Sequence, residues 1–227
     1  AGPANKQGRI AADNICGGNS RFHGSQGSSV LKLFGLTAAS TGINEKAAQA
    51  AGITYDKVVL FPASHATYYP GAQSMAMKVL YEKETLRLLG AQIVGREGAD
   101  KRIDVLATAI RAGMTALELT ELDLAYAPPY SSAKDPANMA GFMIEDLESG
   151  KVRQFHWDEV DGLPRDGSAA LLDVRTAWEY QRGHLDGFRN IPLDDLREHL
   201  DELDRGKPVY VNCQTGLRSY LACRLLT

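Results

Sequence analysis

The stretch Pro208-Val209-Tyr210-Val211-Asn212-Cys213-Gln214-Thr215-Gly216-Leu217-Arg218-Ser219 constrains this chain more than any other. A short run of β-branched and apolar residues, bounded by Pro and Asn, reads as a buried strand, and the residues beyond Gly216 read as a helix. Cys213 therefore stands where a strand passes through a tight loop into a helix. Loop N–H groups and the positive end of the helix dipole both favour a negative sulfur there, which predicts a lowered thiol pKa and an accessible thiolate. Gly216 lets the chain curl so that the amides converge, and Arg218 can add a fixed positive charge. The alternative is a buried, inert structural cysteine.

Four residues separate Cys213 from Arg218, a smaller ring than the C-x5-R loop that phosphatases wrap around a phosphate. The terminal sulfur of a persulfide fits the smaller ring better. Upstream of it the order is strand (170–174), helix, short strand at Ile191, helix (193–200), strand (208–212), loop and helix. Such alternation predicts a parallel sheet in an α/β unit over residues 163–227. Gly150, Asp161-Gly162 and Pro164 punctuate a weakly patterned stretch, and residues 151–162 are read as a linker.

The front of the chain has a different rhythm. Ile10, Ala11, Ala12 and Ile15 suit a helix that begins near Pro3 and stops at Gly17-Gly18. After a glycine-rich loop to residue 27, Val30–Phe34 reads as a strand, and residues 44–51 as a helix capped by Asn44. Residues 58–61, 76–81 and 86–94 then follow as strands separated by short turns, the pattern of an antiparallel meander. Helices are expected at 102–111 and at 136–147, with Pro136 at the first helical position. Residues 28–150 thus predict an α+β domain.

Charge and cysteine usage narrow the function. A net charge of −3 with interspersed signs offers no basic patch for nucleic acid. No apolar run reaches the roughly 18 residues that span a bilayer, so the sequence predicts a soluble, cytoplasmic protein. Cys16, Cys213 and Cys223 make neither a disulfide framework nor, with the five histidines, a metal cluster. Cys16 and Cys223 are expected to be core packing. The chain lacks an initiator methionine and stops inside an expected helix, which reads as a piece cut from a longer protein.

Three stretches resemble rhodaneses: the Cys213 loop, Leu172-Asp173-Val174-Arg175 with Trp178-Glu179-Tyr180, and Gly183-His184-Leu185-Asp186-Gly187-Phe188-Arg189-Asn190-Ile191-Pro192. The resemblance covers about half of a family domain and implies sulfur carried on Cys213; in that family Asp173, Arg175 and His184 chiefly build and charge the scaffold. Residues 30–147 resemble the dimerisation domain of pyridine nucleotide-disulfide oxidoreductases, and residues 1–27 the tail of their FAD-binding domain. His65-Ala66-Thr67-Tyr68-Tyr69-Pro70-Gly71-Ala72, residues 95–104 and Ala125-Tyr126-Ala127-Pro128-Pro129-Tyr130-Ser131 narrow this to the single-cysteine branch that includes coenzyme A-disulfide reductases.

That resemblance implies a homodimeric FAD enzyme that uses NAD(P)H to reduce coenzyme A disulfide, coenzyme A persulfide or polysulfide, with the flavin and nicotinamide bound mainly by a missing front part. Tyr68 and Tyr126 match tyrosines that reach toward the partner subunit's flavin and redox cysteine, while Asn5 and Lys134 match coenzyme A contacts. Simple sheet packing for Tyr68 and a solvated surface for Lys134 are the alternatives. The H-P-T-x-x-E motif of dithiol reductases is missing, and His65 is expected to be a satisfied structural histidine on an apolar strand. Two other functions remain open: an NADH oxidase or peroxidase with an accessory rhodanese, and a non-catalytic dimerisation and sulfur-binding module.

Overall fold

A computed structural model describes residues 2–227. The chain divides into two compact units, residues 1–139 and 140–227. Residues 151–162 therefore lie inside the second unit, and Trp157–Gly162 form a 3-10 helix with a capping box between His156 and Glu159.

The first unit is built on five antiparallel strands in the order β1-β2-β5-β4-β3. These are β1 (Ser29–Leu33), β2 (Leu36–Gly42), β3 (Tyr55–Leu60), β4 (Met75–Glu82) and β5 (Leu88–Gly95). The three strands expected as a meander are consecutive neighbours, with Val58 opposite Val79 and Val79 opposite Ala91. Met75, Met77 and Val79 alternate into the core, and Ile93, Ile103, Leu106 and Ala109 join them there. The last three belong to helix α3 (Ala99–Ala112), which starts earlier than the apolar spacing indicated. Strand β2 was not expected: its Leu-Thr-Ala-Ala-Ser-Thr-Gly sequence carries no large alternating residues. It is placed by pairing, between β1 and β5. Gly90 permits a close approach, since a Cβ there would meet the Ile43 carbonyl oxygen at 1.9 Å.

Two further helices form where expected. Asn44 caps α2 (Glu45–Ala50) by accepting from the Ala47 N–H at 2.9 Å, and Pro136 opens α4 (Pro136–Glu148). Helix α1 (Gly2–Ile15) buries none of its residues. Cys16, just beyond it, is exposed, which corrects its expected place in a core: the apolar positions of α1 have no core to join.

The second unit holds a parallel sheet in the order β7-β6-β8, made from β6 (Ala170–Asp173), β7 (Arg189–Asn190) and β8 (Val209–Asn212). Leu172, Val174, Ile191, Leu196, Val211 and Ala222 form its main cluster, with Cys213 and Cys223 packed against it. Helix α5 (Ala177–Gln181) follows β6, and α6 (Leu217–Leu226) follows β8. Residues 196–202 are a 3-10 helix rather than the expected α-helix, with i→i−3 bonds such as Glu198 N–H to the Asp195 carbonyl at 3.0 Å. Tyr220 on α6 donates to Asp146 Oδ2 at 2.8 Å, tying that helix to the last turns of α4. Among the described residues no helix is long and apolar enough to cross a membrane.

Candidate functional site

The thiol loop grows directly out of the parallel sheet. Asp173 pairs with Asn212 in register, so the ends of β6 and β8 lie side by side, and Cys213 follows at the point where β8 leaves the sheet. Gly216, with φ at 100°, turns the chain into α6 through a conformation that L side chains rarely adopt. The result is a pair of converging amide donors. The Gly216 N–H donates to Cys213 Sγ at 3.1 Å and the Ser219 N–H at 3.3 Å, while the thiol itself donates to Ser219 Oγ at 3.4 Å. Burial pushes the Cys213 thiol up, but the Ser219 hydroxyl and the backbone of Ser219, Thr215 and Gly216 outweigh it and hold the thiol below its ordinary value. Cys223 goes the other way, raised by burial and then by the nearby Cys213.

Arg218 is in the loop's first helical turn, yet its terminal nitrogens serve another group. Nη1 and Nη2 donate to the two oxygens of Glu179 on α5, each at 2.7 Å. Glu179 also accepts from the Thr176 N–H at 2.9 Å and from Thr176 Oγ1 at 2.8 Å, completing a capping box at the start of α5. These bonds, from Arg218 first and Thr176 second, hold the Glu179 carboxyl well below the usual carboxylate range. Asp173 is fully buried and accepts from Arg175 Nη2 at 2.6 Å and Nε at 3.0 Å, while Arg175 Nη2 also donates to the Gly183 carbonyl at 2.8 Å. His184 stacks on Tyr180 with ring centroids 3.7 Å apart. Asp173, Arg175 and His184 are thus engaged in holding the scaffold.

In the first unit the structure brings Tyr68 and Tyr126 together, their hydroxyls 2.7 Å apart and the residues 75% and 47% exposed. The bond from Tyr68 and a smaller effect of burial raise the Tyr126 phenol. Both tyrosines stand on loops that are stitched from behind. The Ala66 N–H donates to the Ser131 carbonyl at 3.0 Å. Buried Arg102 donates to Asp135 Oδ2 at 3.0 Å, to Ser131 Oγ at 3.1 Å and to the Tyr130 carbonyl at 3.4 Å. Asp135 in turn accepts from Ser131 Oγ at 2.7 Å and from the Ala137 N–H at 3.0 Å. Lys134, exposed, precedes Asp135 on the same loop, and Asn5 lies on the exposed helix α1.

His65 is buried and its Nδ1 lies 3.1 Å from the Ala66 carbonyl, with its ring edge-on to Tyr69 at 5.7 Å. It sits in the irregular stretch between β3 and β4, not on a strand as expected, because β3 ends at Leu60. Sequence reasoning did not single out Ser219, Arg102 or the Glu179 clamp as parts of the sites. The Thr-x-x-Glu spacing of a capping box was a readable sign of the third.

Two family patterns match the chain: the pyridine nucleotide-disulphide oxidoreductase dimerisation domain over residues 29–137, and the rhodanese-like domain over residues 156–227. Reduced CoADR-RHD of Bacillus anthracis is 46% identical, covers 99% of this chain and superimposes with a TM-score of 0.92. A NAD-dependent persulfide reductase from A. fulgidus is 42% identical over 98% of the chain, with a TM-score of 0.87. Coenzyme A disulfide reductase of Staphylococcus epidermidis is 41% identical over 143 residues, 63% of this chain. The chain spans 40% of the length of the first two and 32% of the third. The chain thus joins a segment that matches the dimerisation domain of pyridine nucleotide-disulphide oxidoreductases to one that matches a rhodanese-like domain.

Proposed function

We propose that this chain is part of an FAD-dependent NAD(P)H oxidoreductase that reduces coenzyme A disulfide, coenzyme A persulfide or a related polysulfide, acts as a homodimer, and carries sulfane sulfur on Cys213. The observation that carries this reading is the Cys213 sulfur, held by the Gly216 and Ser219 amides and lowered in pKa despite its burial. Such a thiolate is a nucleophile for sulfur. It attacks the outer sulfur of a persulfide or polysulfide, the donor's S–S bond breaks, the donor leaves as its thiolate, and Cys213 keeps the added sulfur as a persulfide. A second thiolate then takes that sulfur by the same displacement. Tethering the persulfide on the same chain as the reductase domain raises its effective concentration there.

FAD, reduced by NAD(P)H, supplies the electron pair when bound. The groups of this chain that fit a place beside such chemistry are Tyr68 and Tyr126. Two hydroxyls that share one hydrogen bond keep one O–H for an outside acceptor, and an exposed, neutral phenol can donate it to a departing thiolate. Asn5 and Lys134 are assigned to coenzyme A, the lysine as a point charge for its phosphates. In this reading residues 1–27 close the flavin-binding domain, residues 28–150 dimerise, residues 151–162 link, and residues 163–227 carry sulfur.

The test compares the intact longer protein with its Cys213→Ser variant. With NADH and coenzyme A persulfide, the variant loses sulfur loading at position 213 and turns over more slowly. Unchanged turnover in the variant removes the thiol loop from the reaction, and the lack of a flavin spectrum in the intact protein removes the flavoenzyme reading altogether.

A further inference from the structure

Two arginines flank the thiol loop, and each is matched by a carboxylate: Arg175 by Asp173, and Arg218 by Glu179. Formally these four side chains cancel. The sulfur accepts from the Gly216 and Ser219 backbone amides and donates to Ser219 Oγ, while both terminal nitrogens of Arg218 donate to Glu179 at 2.7 Å. Glu179 cannot swing away easily, because the Thr176 N–H and hydroxyl hold the same carboxylate at 2.9 and 2.8 Å. This is the reverse of an arginine that reads an oxyanion, where both terminal nitrogens face the anion and bind it bidentately. Here a dianion entering the loop would meet the amide dipoles and a guanidinium whose charge, with two of its five N–H groups, is already committed to Glu179. A singly charged sulfur needs no more than those dipoles.

We infer that Glu179 is a specificity-determining positioning residue: by holding both terminal nitrogens of Arg218 it keeps the guanidinium off the loop's anion, so the loop takes singly charged sulfane sulfur and excludes phosphate-like dianions. This rests on Cys213 being the sulfur carrier. It also adds to the small ring a second, electrostatic reason why the loop is not a phosphate site. The charged groups around the Arg218–Glu179 pair are Asp173 and Arg175, from β6 and its following turn, and Cys213 from the loop.

The test uses the full chain. Alkylation of Cys213 by iodoacetamide is followed at that peptide by mass spectrometry, across pH and with inorganic phosphate or with chloride of matched ionic strength. In the parent protein phosphate gives no protection beyond that of chloride. In Glu179→Gln and Glu179→Ala the loss of the carboxylate and the release of Arg218 lower the Cys213 titration by about one unit, a tenfold change in thiolate, and phosphate slows alkylation severalfold. Thr176→Ala removes the hydroxyl bond to Glu179 but keeps the N–H bond and the Arg218 pair, so it moves both readouts far less. Phosphate protection of the parent, unchanged behaviour of both folded Glu179 variants, or changes as large in Thr176→Ala would each overturn the inference. Unfolding of both Glu179 variants overturns it too, by making the residue structural. Separately, the parent is treated with polysulfide and Cys213 is examined for one added sulfur. Its absence would sink the carrier reading while leaving the anion measurements intact.

Discussion

The two candidate sites use the same pair of side-chain types in opposite settings. In the first unit Arg102 and Asp135 pair with side chains 1% and 4% exposed, beneath loops that carry the exposed Tyr68 and Tyr126. In the second unit Arg218 and Glu179 pair with side chains 31% and 24% exposed, with Arg218 close enough to feel the charge of Cys213. A buried pair is costly to break, because a lone partner is left charged in a poor solvent, whereas a half-exposed pair can be rehydrated. The buried pair therefore fixes geometry and the half-exposed pair tunes charge. One site is positioned by buried side chains; the other is positioned by backbone amides, with side chains left over to set its electrostatics.

The largest effect that would break this comparison is expected at Arg102. Arg102→Ala strands the Asp135 carboxylate and also removes donors from Ser131 Oγ and the Tyr130 carbonyl. The expected cost is about 3–5 kcal/mol, read from the denaturant midpoint. Replacing both partners with apolar residues of similar size should recover much of that loss, since the penalty lies in the unpaired charge rather than in the missing pair. Equal destabilisation by the single and double variants would show that the network contributes more than charge compensation.

A smaller effect separates buried from surface pairing within one unit. Glu45 on α2 accepts from Lys57 on β3 and Lys78 on β4, each at 2.5 Å. Burial pushes its carboxyl up, but the two lysine hydrogen bonds outweigh this and bring it down to about 2 from an ordinary 4.5. The folded value is the lower one, so the stability it adds is fully present above pH 4.5 and is lost as pH falls towards about 2. Glu45→Gln is expected to cost about 1 kcal/mol at neutral pH. The gap to the parent closes in acid unfolding over that window, and a gap that stayed constant would show that the carboxylate charge is not its source.

Smaller again is Arg218→Met, expected to cost under about 1 kcal/mol. Its signature lies in reactivity. With Glu179 left uncompensated near the sulfur, the Cys213 thiol rises and alkylation at neutral pH slows. If Arg218→Met instead destabilised the chain as much as Arg102→Ala, the division between a geometric pair and an electrostatic pair would fail.

What the sequence disclosed follows the range of the interactions. The Cys213 loop is continuous, so one strand, one glycine and one helix start were enough to place the thiol among amides. The capped helix at Asn44 and the alternating strands β4 and β5 were legible for the same reason. Arg102 and Asp135 are 33 residues apart, Arg218 and Glu179 are 39 apart, and Tyr68 and Tyr126 are 58 apart. No local pattern marks such pairs. The tyrosines were found through resemblance, whereas Arg218 was read as a charge for the sulfur because nothing near it in sequence claimed its nitrogens. Strand β2 and the exposed Cys16 escaped for a related reason, since each is decided by which partner a segment meets or lacks.

The smallest stability effect belongs to the tyrosine pair, and it tests the exposed half of the comparison. Tyr68→Phe deletes one hydroxyl of an exposed pair and leaves the Arg102 network untouched, so its unfolding should stay within about 0.5 kcal/mol of the parent. The chemistry should move even so. The Tyr68 hydrogen bond is the main cause that holds the Tyr126 phenol above its ordinary 10.0, so in Tyr68→Phe an ultraviolet phenolate titration should show Tyr126 coming down towards that value. A normalised phenol in an equally stable protein would mean that the hydroxyls tune each other while the buried pair bears the loops. A phenol that stays raised would assign the shift to its surroundings, and an accompanying loss of stability like that of Arg102→Ala would make the tyrosines part of the support rather than what is supported.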